Sequence, residues 1–286
     1  MVISMKLLEG KKVAQALDET MTKRVEELKK KGVTPGLAVI LVGDNSASAV
    51  YVRNKKRRAE KLGIDFQLIH FDATVTEDEL LKKIDELNHD ENVDGFIVQL
   101  PVPDHIDEDK VIEAIDPRKD VDGFTPISVG NLWIGTPLTK PATASGILMM
   151  LDHYNVDLDG KNVVIVGRSN IVGKPTAALM LDRNATVTIT HSHTKNLKEI
   201  TSKADVLVVA IGKAKFITKE YVKDQAIVVD VGMDRDENGK LCGDVDFDDV
   251  KQKAAMMTPV PGGVGPMTIT ALVDQVIELA EGRANG

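Results

Sequence analysis

Cysteine, aromatic residues, excess positive charge and extended apolar stretches are all scarce in this sequence. Cys242 is the sole cysteine among 286 residues, so it can form neither an intramolecular disulfide nor a thiolate metal site. Aromatic side chains make up 3% of the chain, too few for a base-stacking surface. Lysine and arginine number 36 against 44 aspartates and glutamates, a formal charge of −8, which disfavours nucleic acid or an anionic membrane as partner. No apolar run approaches the roughly 20 residues needed to span a bilayer. The opening MVISMKLLEGKK lacks the apolar core and cleavage site of a secretory signal, so a cytoplasmic protein is expected. The 43% of hydrophobic residues suffices for ordinary cores. At roughly 150 residues per domain, the length fits two.

Apolar runs recur along the chain, each followed by a charged segment of helical period. They are Leu37–Val42, Phe66–Phe71 and Phe96–Leu100 in the first half, then Val163–Val166, Val187–Thr190, Val206–Ile211 and Ile227–Val231. Runs this rich in Val and Ile suit strands buried on both faces of a parallel sheet. Helices are expected at Ser48–Lys61, Glu77–Asn88, Thr143–His153 and Met267–Ala280, and Thr76 with Glu79 has the spacing of a capping box. Strand and helix in alternation predict an α/β fold with helices on both faces. Asp116–Pro141, rich in proline and glycine, reads as loop. The helices that flank the second strand set carry the chain between domains and return its end to the first.

The most informative local pattern is Val163-Val164-Ile165-Val166-Gly167-Arg168-Ser169-Asn170-Ile171-Val172-Gly173-Lys174-Pro175. It predicts a strand, a glycine-bounded turn, and a helix starting near Pro175. Gly167 permits the turn, Gly173 permits close packing of helix on strand, and peptide N–H groups at the helix start attract a pyrophosphate. Ser169 stands where the usual dinucleotide fingerprint has its second glycine, and a glycine turn without ligand is the alternative. The next strand leads into His191-Ser192-His193-Thr194, with no acid to bind a ribose 2′-hydroxyl. Arg168, Ser192 and a histidine suit a 2′-phosphate instead, so NADP is expected over NAD. A His-x-His metal site is the rival reading of His191 and His193, and it lacks a third ligand nearby.

In the first half, Tyr51 and Lys55 stand at i and i+4 and share one helix face. A Tyr–Lys pair so spaced also serves short-chain dehydrogenases, but there it follows the nucleotide loop, and here it precedes it. A solvated basic face is the plainer reading, since Arg53, Lys56, Arg57 and Arg58 adjoin. Gln99, at the end of an apolar strand, lies where parallel sheets place their sites. Asp120-Val121-Asp122-Gly123 offers carboxylates on a loop with a permissive glycine. Pro259–Thr268 mixes rigid and permissive residues, as ligand loops and structural turns both do.

Taken in order, YVRNK, IVQLP, KDVDGF, GRSNIVGKP, HSHT, KLCGDVDF and PVPGGVGPMT resemble the bifunctional methylenetetrahydrofolate dehydrogenase/cyclohydrolase family over nearly the whole chain. The resemblance implies an N-terminal α/β folate-binding catalytic domain, 1–142 plus 268–286, and a Rossmann-like NADP-binding domain, 143–267, with a cleft between them. It also implies a homodimer. Tyr51, Lys55 and Gln99 fall at the family's catalytic positions. Tyr51, Asp122, Gly265 and Pro266 fall at substrate positions, and Thr143, Gly167, Arg168, Ser169, Gly173, Ser192, Gly232, Met233 and Thr268 at cofactor positions. No metal is implied. One departure is Pro141-Ala142-Thr143-Ala144-Ser145-Gly146, where the family commonly has Pro-Cys-Thr-Pro, a basic residue and glycine.

The implied reaction is NADP-dependent oxidation of 5,10-methylenetetrahydrofolate to the methenyl cation, then hydrolysis to 10-formyltetrahydrofolate. Asp122 can accept paired N–H groups from a pterin-like ring. An ammonium beside the methenyl cation is disfavoured, so a lowered Lys55 pKa is expected, with the lysine acting either as a base or only as a polarising group, Gln99 holding the amine or the water and Tyr51 orienting the ring. Competing readings are a monofunctional dehydrogenase and a non-catalytic NADP-sensing module. Cys242, Trp133 and the scattered histidines read as packing.

Overall fold

Parallel strands form where the sequence is continuously apolar, and helices where charge recurs at helical period. The computed structural model describes residues 5–285; residues 1–4, part of the segment inspected for a secretory signal, and residue 286 lie outside the described residues. In chain order the elements begin with β1 (Lys6–Leu7), α1 (Gly10–Lys30), β2 (Gly36–Val42), α2 (Ser46–Leu62), β3 (Asp65–Phe71), α3 (Glu77–His89) and β4 (Gly95–Val98). Then come α4 (Glu108–Glu113), α5 (Pro126–Trp133), α6 (Ala142–His153), β5 (Asn162–Val166), α7 (Gly173–Leu181), β6 (Thr186–Thr190), α8 (Leu197–Thr201) and β7 (Val206–Val209). After a 3₁₀ turn at Lys219–Tyr221, β8 (Ile227–Asp230), β9 (Asp234–Arg235), β10 (Leu241–Cys242), α9 (Phe247–Val250), β11 (Met256–Met257) and α10 (Val264–Asn285) complete the chain.

The chain divides into two compact units, one of Ala16–Ala142 with the chain from Ile269 on, the other of the described residues through Gln15 with Thr143–Thr268. This differs from the division drawn from sequence at the N-terminus. The cause is β1, which pairs parallel with β11, matching Lys6 to Met256 and Leu7 to Met257. A two-residue strand leaves no apolar period to detect.

The first unit holds a parallel sheet in the order β3-β2-β4. Every residue of β2 is buried, whereas β3 at the edge alternates toward solvent. Ile40, Phe96, Leu80, Ile84 and Val111 meet in its core. The capping box at α3 forms as expected: Thr76 Oγ1 accepts from the Glu79 peptide, and Glu79 returns an acceptor to the Thr76 peptide. Asp116–Pro141, expected as loop, contains α5. Thr125 caps it and Pro126 occupies its first turn, where proline starts a helix instead of breaking one.

The second unit holds a six-stranded parallel sheet in the order β1-β11-β8-β7-β5-β6. Its strands β5, β7 and β8 are almost wholly buried. Val164, Val209, Val228 and Met257 pack beneath them with Ile217 and Val250. Because β6 lies on one side of β5 and β7 with β8 on the other, the β5–α7 turn sits where the strand order reverses. Ligands of open parallel sheets bind at that point.

Candidate active site

In the first unit, α2 and the mouth of β4 bring three side chains together. Lys55 is buried, with 8% of its surface exposed, and its Nζ donates to Gln99 Oε1 at 3.1 Å. Gln99 lies one residue beyond β4, not within a strand reaching Leu100 as expected. Its peptide N–H still donates to Ile40 O at 2.8 Å, and its Nε2 donates to Leu100 O at 3.0 Å. The amide is thereby fixed with its oxygen toward the amine. Burial lowers the Lys55 pKa below the ordinary lysine value, and the nearby Asp122 carboxylate partly opposes the shift. Burial likewise raises Asp122, with Lys55 pulling it down. The expected depression of Lys55 thus arises from desolvation by the protein itself. Tyr51, one turn before Lys55, is half-buried and its phenol is pushed up by burial.

The two carboxylates of Asp120-Val121-Asp122 divide their tasks. Asp120 is buried and accepts from the Gly123 and Thr125 peptides, both at 2.8 Å. It makes the turn that leaves Asp122 toward Lys55. Gly123 adopts φ +68°, and a Cβ there would lie 2.8 Å from Pro141 N, so the turn requires glycine. From α10, the buried Gln275 donates to Val121 O at 3.1 Å and to Lys140 O at 2.8 Å, and accepts from the Lys140 peptide. Gln275 was missed in the sequence. In the sequence it follows Asp274 within α10 and reads as an ordinary polar position of an amphipathic helix.

In the second unit, the turn after β5 has the geometry of a phosphate cradle. Gly167 has φ +129°, and a Cβ there would come within 2.2 Å of Ala210 O. A Cβ on Gly173 would come within 2.3 Å of Gly167 O. Ser169 Oγ accepts from the Val172 and Gly173 peptides at 3.1 and 3.3 Å. The serine in place of the second glycine therefore caps the helix itself. Among the described residues, the peptide N–H groups of Arg168, Ser169, Asn170 and Ile171 have no protein acceptor. These four are the donors available to a pyrophosphate, upstream of the helix-start amides expected from sequence. Arg168 is exposed and has no carboxylate partner among the described residues.

Past β6, His191 and Thr194 close a tight turn through 2.8 Å bonds in both directions. The His193 peptide donates to His191 Nδ1 at 3.2 Å, and Ser192 is exposed. Among the described residues no cluster of three potential metal ligands occurs. Gly232 is buried and its N–H donates to Asp230 Oδ1 at 3.0 Å, while Met233 is exposed. Thr268 Oγ1 donates to Thr143 Oγ1 at 3.3 Å. Of the three departures in the 141–146 segment, Ala142 and Ala144 are buried in the first turn of α6 and Ser145 is partly buried beside them. Gly265 and Pro266 are partly buried at the start of α10, and a Cβ on Gly265 would meet open space.

A dinucleotide cradle on one α/β unit and a desolvated amine held by an amide on the other define a two-domain nucleotide-dependent enzyme. Residues 8–122 match the model for the tetrahydrofolate dehydrogenase/cyclohydrolase catalytic domain, and residues 141–284 match that for the NAD(P)-binding domain of the same family. A curated relative, the bifunctional protein FolD of Listeria innocua, is 56% identical over 96% of this chain and 97% of its own. The structure of the bifunctional FolD dehydrogenase/cyclohydrolase from Campylobacter jejuni superposes with a TM-score of 0.96 at 46% identity, covering 98% of this chain and 99% of that one. That of Trypanosoma brucei FolD, complexed with NADP cofactor and an inhibitor, gives 0.94 at 35% identity, with 99% of each chain covered.

The chain belongs to the tetrahydrofolate dehydrogenase/cyclohydrolase family. It is an enzyme with both oxidoreductase and hydrolase activities, it acts on tetrahydrofolate derivatives, and it carries an NAD(P)-binding domain. Among the described residues no helix is long and apolar enough to cross a membrane.

Proposed function

We propose that this chain oxidises 5,10-methylenetetrahydrofolate with NADP and hydrolyses the methenyl product to 10-formyltetrahydrofolate. The observation that carries the reading is the buried Lys55 amine, bonded to Gln99 and near Asp122. A bound nicotinamide supplies the hydride acceptor. Asp122 accepts N–H groups of the folate ring, Tyr51 orients it, and Gly265 and Pro266 line the substrate. Desolvation favours the neutral amine of Lys55 over the ammonium. That amine takes the proton from water attacking the methenyl carbon, and Gln99 holds it in line. One water is consumed and one proton released.

The cofactor is held by Gly167, Arg168, Ser169 and Gly173 at the phosphates, by Ser192 with Arg168 at the 2′-phosphate, and by Thr143, Gly232, Met233 and Thr268 beyond them. An exposed arginine without a carboxylate partner, and no acid in the 191–194 turn, favour NADP over NAD. The folate-binding role is assigned to the unit of Ala16–Ala142 with the chain from Ile269 on, and the NADP-binding role to the unit of Thr143–Thr268 with the described residues through Gln15. The charge of −8 supports a protein with neither nucleic acid nor anionic membrane as partner, a cytoplasmic location is proposed with it, and the family reading adds a homodimer, which sedimentation tests.

One assay decides the central claim. With methylenetetrahydrofolate, NADPH should appear by absorbance, with kcat/KM at least about tenfold higher for NADP than for NAD. 10-Formyltetrahydrofolate should accumulate in the same reaction. Absence of the formyl product would leave only a dehydrogenase, and NADP binding without turnover would leave only a nucleotide sensor.

A further inference from the structure

Two buried carboxylates lie at the carboxyl ends of β7 and β8, outside every role assigned so far. Asp230 has 2% of its surface exposed and Asp244 none. Among the described residues Asp230 accepts from backbone amides alone, and Asp244 accepts from backbone amides and also meets the side chain of Asp234. Asp244 Oδ2 takes the Ile211 peptide at 2.7 Å and Oδ1 the Lys213 peptide at 2.6 Å. Asp230 Oδ1 takes the peptides of Gly232 and Asp244, each at 3.0 Å, and its Oδ2 takes that of Val245 at 3.0 Å. Glycines seal the arrangement. A Cβ on Gly232 would lie 2.6 Å from Asp244 Cγ, and one on Gly243 would lie 1.9 Å from Asp230 Oδ2. The Asp230 peptide in turn donates to Thr258 Oγ1 at 2.8 Å, tying in the end of β11.

Burying two acids so close together is costly, and a sheet of this kind needs neither for its core. Their partners explain them. Three of the five peptides they fix, at 211, 213 and 232, lie just beyond β7 and β8, and the other two, at 244 and 245, tie the two acids to each other's segment. With the pyrophosphate at the β5–α7 turn and the 2′-phosphate end at β6, a dinucleotide must extend its other half over β7 and β8. We propose that Asp230 and Asp244 are positioning residues that hold the 211–213 and 232 peptides in register for the nicotinamide half of the cofactor. The proposal rests on the NADP reading above and adds residues that it does not contain.

The test uses the full chain with Asp230→Asn and Asp244→Asn, each of which sets an amide N–H against a peptide donor. Asp205→Asn is the control. Asp205 also accepts a peptide N–H, from Asn162 at 2.9 Å, but at the opposite end of the sheet. Each clamp variant should weaken NADP binding and dehydrogenase kcat/KM by about tenfold to a hundredfold. Adenosine 2′,5′-bisphosphate, which lacks the nicotinamide half, should bind within about twofold of wild type, and methenyl hydrolysis should change as little. Asp205→Asn should leave NADP affinity unchanged even where it lowers the melting temperature.

Parallel loss of both nucleotides, an equal loss in Asp205→Asn, or undiminished NADP binding would each overturn the clamp. A wild-type measurement covers the case of variants that do not fold. The amides of Ile211, Lys213 and Gly232 should resist hydrogen exchange without nucleotide, and rapid exchange there would overturn the clamp as well. Failure of the wild type itself to bind NADP would remove the NADP reading and the clamp together, whereas the other outcomes strike the clamp alone.

Discussion

The two units solve their binding problems with different parts of the chain. In the first, the proposed chemistry falls to side chains: an amine, an amide and a carboxylate, drawn from α2, the end of β4 and the 120–124 turn. In the second it is carried by the backbone. Glycines clear the way at 167 and 173, a serine caps the helix, and four peptide N–H groups are left without protein acceptors. A charged pterin-like substrate needs a few groups tuned in pKa, which only side chains supply. A pyrophosphate needs many neutral donors at close range, which the main chain supplies best. Substitutions should therefore separate the two activities, and the separation should be sharpest where the contrast is.

The largest expected effect is at Lys55. Lys55→Met keeps the length and burial of the side chain but removes the base. Hydrolysis of methenyltetrahydrofolate should fall by about 10² to 10⁴-fold, with measurable dehydrogenase activity remaining. Equal loss of both steps, with folate still bound, would contradict the division of labour. On the proposed mechanism, the neutral amine is the active form in the wild type. The hydrolytic rate should therefore fall as pH drops through the Lys55 pKa, and that limb should lie below the ordinary lysine range because burial disfavours the ammonium. A pH–rate profile with no such limb would remove Lys55 as base.

Next in size is Gly173→Ala on the other side of the contrast. The added methyl would lie 2.3 Å from Gly167 O, and both atoms belong to rigid elements, β5's end and the first turn of α7. Relief requires the helix to move off the strand, at about 1–3 kcal/mol. NADP affinity should fall by about tenfold or more, and hydrolysis should persist because its groups lie in the first unit. Calorimetric titration with NADP beside a hydrolase assay measures both. Loss of both together would mean that the units are not separable in this way.

The same contrast explains how much could be read from sequence. The longer strands of both sheets were legible because buried parallel strands are nearly continuous apolar runs, as in Val163–Val166 and Leu37–Val42. Lys55 and Tyr51 were visible as an i, i+4 pair, and Asp122 as a loop carboxylate. The short strands β1 and β11 were not, since two residues carry no period and their pairing spans the chain. Nor was α5, whose Pro126 reads as a breaker until Thr125 is recognised as its cap. The supports Asp120, Gln275, Asp230 and Asp244 are ordinary polar letters in sequence. Their meaning lies in backbone groups that only folding brings near. Ser169 is intermediate: its departure from glycine was plain, and its capping role required coordinates.

The effect that tests the first unit most closely belongs to Asp122. Asp122→Asn keeps the shape, removes the charge, and replaces one acceptor oxygen with a donor. Folate binding should weaken by about 1.5–3 kcal/mol, the range for hydrogen bonds to a charged group, while NADP binding is spared. The carboxylate also acts on its neighbour. Its negative charge raises the Lys55 pKa against the larger, opposite effect of burial. Neutralising it leaves burial unopposed, so the acid limb of the hydrolytic pH profile should move to lower pH in the variant. Because the protein binds fewer protons at Lys55 than the unfolded chain does over the interval opened by that shift, stability in that window should rise with pH more in the variant than in the wild type. A folate defect with an unmoved limb would place Asp122 on the substrate alone; a moved limb with intact folate affinity would place it on the lysine alone. Both together are expected of a carboxylate that stands between ring and amine.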